Sequence, residues 1–579
     1  MSRYTFFFAV VVVLVAMLAF RYRESRTIAL ADFEAYKAKR IVRCSPDWNE
    51  LSSWIEESDI PPMEGAGKYK WKISSQSDSA RFYFNQGINM YYGFHIIEAM
   101  ASFKKATRFD PGCAILYWAQ ALSYGPNIND FGYRASPEAL AAVNKAKQLS
   151  SAASAFENAL INSMQVRYTA DSSDVTRAQL NQAYTNQMEI VYRKFRSNPD
   201  ALALYADAMM LQHPWDLWNT NGSPKQWTPA IRKVLEELLA LYPEHPGGNH
   251  YYIHLMEPSP YAALALPSAD RLGKTNPGLS HLVHMPSHIY LRTGKYQRGV
   301  SVNIDAVNSY QRYLPLYAPV SGADFLYAIH NLHMKTNNAM LMGNYKIALQ
   351  AAEETQKSIP ADYLSIPPPM GSYVQYIYMT PVMVYVRFGK WDELLQVKKP
   401  AAEQVYANLL YHFGRGMAFS AKKLFTDAAG ELDKLRELMK DSSLQVPFSP
   451  FSPAIDGAKV AEQMLLGSIH LDRKLVAGAI RHFREADSIE SKMVYNEPRD
   501  WILNPKHYLG SAYLDHADAV NAEKIFQQDL RYNNENGWAL FGLQKAWLLQ
   551  GKKDKALQAQ RRFEKAFAGA DVQIQSSRY

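Results

Sequence analysis

From about residue 78 to the end, apolar residues return at steps of three and four, and long strand-like alternation is absent. This periodicity predicts helices almost throughout. Gly87, Ala99, Phe103, Ala106 and Pro111 stand 12, 4, 3 and 5 residues apart. A glycine lets one helix approach its neighbour, the alanines and the aromatic residue pack back on it, and the proline closes the unit. The layout returns in a frame opening at Leu503, with Ala522, Phe526 and Leu530 on the packing side. Thirty-four residues later a frame at Gly537 holds Leu540, Trp547, Gly551, Ala556 and Phe563. Gly294-Lys295-Tyr296, Gly343-Asn344-Tyr345 and Gly389-Lys390-Trp391 read as turns between paired helices, and Ala348 follows the second at the expected distance. Segments 131–170, 213–229, 360–374 and 441–456 are rich in Pro, Ser, Trp or Gly and read as loops. Roughly eight to ten units are expected, several of them degenerate.

The 34-residue layout resembles the tetratricopeptide repeat (TPR). The resemblance implies an all-α, right-handed superhelical solenoid of TPR-like helix-turn-helix repeats, with the first helix of each unit lining a concave groove. The expected organisation is a signal anchor or signal peptide at 1–30, a lead-in at 31–78 and the solenoid at 79–579.

The amino terminus has a different pattern. Thr5 to Phe20 is uncharged and almost wholly apolar, with Arg3 before it and Arg21, Arg23 and Arg26 after it. A spanning helix wants about 20 apolar residues and the core of a signal peptide about 7–15. The run falls between them. A signal anchor is the favoured reading, since Ala29-Leu30-Ala31 lies far from the apolar core for a cleavage site. The basic carboxyl-terminal flank favours a cytoplasmic body, whereas the short tail favours export. The expected placement is membrane-anchored or periplasmic, with a leaning to export.

Histidine is concentrated. Of the 15, eight lie between His245 and His333, where uniform scatter would leave about two. Frames opening at Pro246, Ser280 and Ile329 carry His250, His284 and His333 in their fifth slot. The ninth slot holds His254, His288 and Asn337, and the second holds Gly247, His281 and His330. Glu257 fills the twelfth slot of the first frame. These slots share one helix face, which the TPR resemblance turns into the groove at 245–337. Packed helices about 8–10 Å apart would bring such imidazoles together. A site of this kind suits Zn, Cu or Fe better than Mg or Ca. The candidate metal ligands are His250, His254, His281, His284, His288, His330 and His333. The pairs His250/His254 and His284/His288 are the best chelators, and His281 and His330 are candidates for an outer shell or a second ion. His245 precedes Pro246 at a helix start and falls outside. Against this stand histidines hydrogen-bonded in a core, a histidine copied with its repeat, and a polar groove without metal.

Several segments are similar to a group of large bacterial TPR proteins of largely uncharacterised function with His-rich repeat segments. They are FNQGINMYYGF with EAMASFKKATRFDPGCAILYWAQALSYGPNIN, then HPGGNHYYIHLMEPSP, HLVHMPSHIYLRTGKY, IHNLHM, YNEPRDW and ENGWALFGLQKAW. The likeness covers roughly 66–570. It implies architecture and a bacterial source, and no activity. The chain departs from the pattern at His95-Ile96 and at Asn221-Gly222.

Composition narrows the function. At about 150 residues per domain, 579 residues mean three to four domains or one array. A net charge of +8, with the basic residues scattered, gives no nucleic-acid stripe. Cys44 and Cys113 cannot build a disulfide scaffold, a zinc-cysteine site or an iron–sulfur cluster. Phosphate-loop, dinucleotide, H-E-x-x-H, G-x-S-x-G and C-x-x-C motifs are missing. The loop His213-Pro214-Trp215-Asp216 with Trp218 and Trp227 is a candidate lid or a hydrophobic staple. Asn496-Glu497-Pro498-Arg499-Asp500-Trp501 reads chiefly as a helix-start cap, with an acid for the groove as the alternative. Tyr251, Tyr252, Tyr290 and Tyr327 are expected mostly to pack between helices. The expected function is a transition-metal site in the groove, acting as an oxidase or hydrolase with Glu257 as catalytic acid or base. The alternatives are a non-enzymatic scaffold holding a protein or peptide partner in the groove, and a metal carrier.

Overall fold

The structure is a computed structural model that describes residues 48–129, 133, 135–170, 176–317 and 325–579. The apolar run at 5–20 and Cys44 lie outside the described residues. Among those described, no helix is long and apolar enough to cross a membrane.

The fold is all-α. The chain opens with α1 (Trp48–Glu57), α2 (Asp78–Tyr92), α3 (Ile96–Phe109), α4 (Ala114–Ser123), α5 (Pro137–Gln148), α6 (Ala155–Met164), α7 (Arg177–Lys194), α8 (Pro199–Met210) and α9 (Thr228–Leu241). The middle holds α10 (Pro246–Met256), α11 (Leu266–Thr275), α12 (Ser280–His284), α13 (Pro286–Arg292), α14 (Tyr296–Tyr313), α15 (Asn331–Leu341), α16 (Tyr345–Ser358), α17 (Met370–Tyr378), α18 (Thr380–Arg387) and α19 (Trp391–Leu395). The last third holds α20 (Val405–Ala421), α21 (Phe425–Leu438), α22 (Ala454–Asp472), α23 (Val476–Glu490), α24 (Pro505–Asp515), α25 (Ala519–Tyr532), α26 (Gly537–Leu549) and α27 (Lys553–Ala566). Consecutive helices pack as hairpins, and each hairpin packs on the next, giving the TPR-like solenoid.

One turn recurs through the array. Phe94, Gly294, Gly343, Gly389, Lys423, Lys474, Ala517 and Gly551 each close a first helix with φ between 57° and 72° or, at Gly343, 76°. The next N–H in each case donates to the carbonyl five residues back, at 2.8–3.0 Å. This Schellman turn satisfies the helix-end carbonyls and reverses the chain into the second helix. Glycine adopts the left-handed conformation without penalty, whereas a side chain there costs about 1–2 kcal/mol. Four of the turns lack glycine, and the one with the bulkiest residue, Phe94, abuts the histidine cluster.

A close contact also repeats. A Cβ on Gly87 would lie 2.5 Å from Phe103, one on Gly467 2.5 Å from Phe483, and one on Gly510 2.4 Å from Phe526. In each hairpin the missing side chain lets the ring of the partner helix sit against backbone.

Two stretches differ from expectation. Segment 131–170, read as loop, carries α5 and α6, started by Pro137 and by a capping box between Ser154 and Glu157. The frame opening at Ser280 is two helices, because Pro286 interrupts the ladder between α12 and α13. The lead-in is well tied. Trp71 is buried against Phe84 and Trp118. Asn276 Nδ2 donates to the Ala66 carbonyl at 2.7 Å and Gly278 N to the Gly65 carbonyl at 2.9 Å, so this strap fixes the start of α12.

The close contacts give a paired test. Gly467→Ala must push against the Phe483 ring and is expected to cost about 1–3 kcal/mol. Gly430→Ala, in α21 with nothing within 4 Å of its Cβ, is expected to be neutral or to stabilise by up to about 1 kcal/mol. Urea denaturation of both variants checks the contrast.

Candidate metal centre

α10 is placed by its first turn. His245 caps the helix by accepting from Gly248 N at 3.0 Å, and Pro246 supplies the fixed φ of the first position. A Cβ on Gly247 would strike Tyr92 at 2.5 Å and one on Gly248 would strike Leu238 at 2.8 Å. The two glycines therefore seat α10 directly on the ends of α2 and α9. His250 Nδ1 then lies 2.6 Å from the carbonyl of Tyr92, at the C-terminus of α2. A carbonyl only accepts, so His250 carries its proton on Nδ1 and presents Nε2 as a lone pair.

α12 and α13 are placed by α14 and by Arg292. Asn303 of α14 donates through Nδ2 to the Gly299 carbonyl at 2.8 Å, which turns its Oδ1 to His284 Nδ1 at 2.6 Å. That fixes His284 in the same tautomer. Arg292 at the end of α13 donates to the carbonyls of Glu257 and Ser259, locking α13 to the end of α10. His330 closes a wider, π-helical turn over 325–330 that leads into α15, a geometry that recurs at functional sites.

The result is two neighbouring histidine triads. His250, His254 and His281 each bring a ligand nitrogen to within 4.8 Å of the others, and so do His284, His288 and His330. In the first triad the Nε2 atoms of His250 and His281 are 3.0 Å apart. In the second, His284 Nε2 lies 2.7 Å from His288 Nε2 and 3.0 Å from His330 Nε2. Ring centroids of His254 and His288 are 6.2 Å apart, as are those of His281 and His284, so the triads adjoin. Each triad takes slots five and nine of one frame and slot two of the next. His330 is partly accessible and the other five are buried.

Glu257 joins the triads from behind. Its Oε1 lies 3.0 Å from His254 Nδ1, and its Oε2 faces His288 Nδ1 at 2.8 Å in an ion-pair contact without hydrogen-bond alignment. Tyr495 donates its hydroxyl proton to Oε2 at 2.6 Å. Glu497 Oε1 stands 3.4 Å from His254 Nδ1 and 3.6 Å from His288 Nδ1. Both Nδ1 atoms thus face carboxylates. His254 Nε2 is buried with no hydrogen-bond partner among the described residues. Leaving such a group bare costs about 1–3 kcal/mol.

Burial, then the neighbouring imidazoles, hold His250, His281 and His284 well below the usual histidine pKa, and His330 likewise. Burial opposes charge on His288, but Glu257 and Glu497 raise it. Burial would raise Glu257, yet His288 and His254 hold it well below the usual carboxyl range. Burial and the Glu257 charge push Glu497 well above it. The adjoining carboxyl groups are thus shifted in opposite directions.

Aromatic residues cover the first triad. Phe94 lies 4.5 Å from His250 and stacks on His281 at 5.7 Å and on His254 at 6.0 Å between centroids. Trp215, also at positive φ, meets His254 edge-on at 5.3 Å. The 213–229 loop is tied to α10 by Trp218 Nε1, which donates to the Leu255 carbonyl at 2.7 Å, and Trp227 stacks on His213. Among the described residues the imidazoles therefore form a buried cluster, with His330 partly accessible, and do not line an open groove.

His333, in the same slot as His250 and His284, turns away. Thr380 Oγ1 is 3.2 Å from its Nδ1, and burial pushes its pKa down to about 4. His245 also lies outside, between Tyr69 and Tyr92. Tyr252 and Tyr290 donate to Glu236 and Asp270. Sequence reasoning did not assign Glu497, Tyr495, Phe94 or Asn303 to the site. The acids beside Pro498 were the one signal for Glu497. Of the departures from the family pattern, His95 borders the cluster, its Nε2 3.5 Å from the peptide nitrogen of His281.

No family model matches the chain, and no curated protein does. Among solved structures the chain is similar to the human IFIT1 dimer with PPP-AAAA at 13% identity and a TM-score of 0.28, covering 86% of this chain and 92% of that one. It is similar to yeast Tom70 at 11% and 0.27, covering 85% and 92%, and to the P58(IPK) TPR domain at 12% and 0.19, covering 82% and 99%. At such scores the likeness carries no argument, and the architecture rests on the hairpins themselves.

Asn303 offers a test of how the rings are held. Outer partners of ligating histidines typically contribute about 10–100-fold in metal affinity. Asn303→Ala is expected to weaken metal binding by that factor in a chelator competition, with the helical circular dichroism unchanged.

Proposed function

We propose that the protein is a metal-dependent oxidase whose histidine cluster holds two adjacent first-row transition-metal ions, each by three imidazoles. The observation that carries this reading is the convergence of Nε2 atoms whose rings are anchored through Nδ1 on Tyr92, Asn303 and Glu257. That is the outer-shell arrangement metal-ligating histidines require. Two ring nitrogens 2.7 Å apart need a positive centre between them, either a proton on one or a cation shared by both. At a metal–nitrogen distance of about 2.0–2.1 Å, tetrahedral ligands stand about 3.3 Å apart and right-angled ones about 2.9 Å. The three pairs at 2.7–3.0 Å need to open by only about half an ångström. An ion would also satisfy the bare His254 Nε2.

Nitrogen-only first shells suit copper, zinc or iron. Oxygen chemistry is favoured over hydrolysis because Glu257 is engaged by two imidazoles and a phenol and is a poor base. When bound, copper or non-haem iron supplies one-electron and dioxygen chemistry. The chain's own residues orient the ligands and exclude water through Phe94 and Trp215. The apolar run at 5–20 is the basis for placing the protein at or beyond a membrane.

A second reading, a partner-binding scaffold, has one observation in its favour. Val520, Leu548, Leu549 and Leu557 are exposed on the last two hairpins.

Elemental analysis of the purified chain after loading with copper, zinc or iron tests the main reading. About two equivalents are expected, falling to about one in His284→Ala/His288→Ala, with oxygen uptake by the copper- or iron-loaded wild type when ascorbate is supplied as the electron donor. A chain that takes up no metal while keeping its helical melt contradicts it.

A further inference from the structure

A partly open pocket of about 160 Å³ adjoins the histidine cluster, walled by Trp215, Trp218, Tyr495, Tyr532, Arg499 and Arg531. Two of these residues also border the histidines. Trp215 meets His254 edge-on, and Tyr495 donates to Glu257. The cavity is therefore the compartment next to the proposed metal centre.

Its chemistry is one-sided. Two arginines line it and no Asp or Glu does. Arg499 is buried. Its Nη1 pairs with Glu490 and its guanidinium lies 4.0 Å over the Tyr532 ring, but its Nε has no acceptor. Trp215 Nε1 is buried and also lacks an acceptor. Arg531 is exposed and makes no side-chain ion pair or hydrogen bond among the described residues. The walls thus bring two guanidinium groups and no acid beside flat aromatic faces. Guanidinium groups match the oxygens of carboxylate or phosphate. The indole and phenol rings supply apolar area for a planar body.

We infer that this cavity is the substrate compartment of the metal centre, and that its substrate is a small aromatic anion whose acid group is held by Arg499 and Arg531. The substrate role rests on the metal reading above. The binding of the anion does not. The anionic oxygens lie at the arginine end, and the ring sits against Trp215 and Tyr495, the two residues that the pocket shares with the histidine cluster.

The test uses the full chain and three probes in isothermal titration calorimetry: benzoate, phenyl phosphate and neutral benzamide. One of the anions is expected to bind at one site at least about tenfold more tightly than benzamide. Benzoate as the tighter ligand identifies a carboxylate substrate, and phenyl phosphate a phosphate ester. Arg531→Gln, an exposed change that leaves the core intact, is expected to weaken the preferred anion about five- to tenfold and benzamide not at all. Equal affinity for all three probes, no binding of either anion, or an unchanged Arg531→Gln overturns the inference. Metal content is measured on the same sample. Metal bound without anion binding leaves the metal reading standing and ends this one. Anion bound by a chain that takes up no metal ends the substrate role and the metal reading together.

Discussion

Six imidazoles stand side by side, five of them buried, and four are held by what their outer nitrogens meet. A ring in a protein interior can present either nitrogen, and its partner decides which. Here a helix-end carbonyl holds His250, a side-chain amide holds His284, and carboxyl groups face His254 and His288. The amide is itself oriented by the Gly299 carbonyl. On His250, His254 and His284 the anchor accepts at Nδ1, so the ring turns a lone pair inward. Without the anchors the cluster would be a set of interchangeable hydrogen bonds. With them it is a concave set of donors for a cation, and the rest of the local structure can be read as support for that arrangement.

That support explains features that would otherwise be costly. The paired glycines at 247 and 248 weaken the first turn of α10 but bring it against Tyr92. Phe94 occupies a left-handed position that glycine fills in four of the seven equivalent turns, and its ring covers three histidines. Strain of this kind persists where surrounding contacts over-determine it, commonly near functional sites. Arg292 commits its guanidinium to two carbonyls so that α10 and α13 keep register. Glu257, placed between the triads, couples them. A change of charge in one alters the carboxylate that orients a ring of the other.

The hairpins and the histidine face were legible in the sequence for the same reason. Both repeat with the helix period, so slots five and nine of the first two frames meet as the pairs His250/His254 and His284/His288. Slot two was legible as a position and not as a role, because its contact is made across frames. His333 shows where the frame argument ends. The π-helical turn before α15 adds a residue to the winding and swings the following face by about a quarter turn, so His330 reaches the cluster and His333 meets Thr380. Tyr495 and Glu497 come from a loop more than two hundred residues from α10, and Asn303 lies on a second helix where an asparagine looks ordinary. Tertiary contacts of that range leave no periodic trace. The turns at Lys423, Lys474 and Ala517 were hidden because their left-handed residues are not glycine.

The central claim is that Nε2 atoms of both triads bind metal. X-ray absorption at the edge of the loaded metal measures this directly. The account predicts nitrogen neighbours at about 2.0–2.1 Å, with the outer-shell scattering of three imidazoles per ion, lost in part when His284 and His288 are replaced. A first shell of oxygen or sulfur without imidazole scattering would place the metal elsewhere and contradict it.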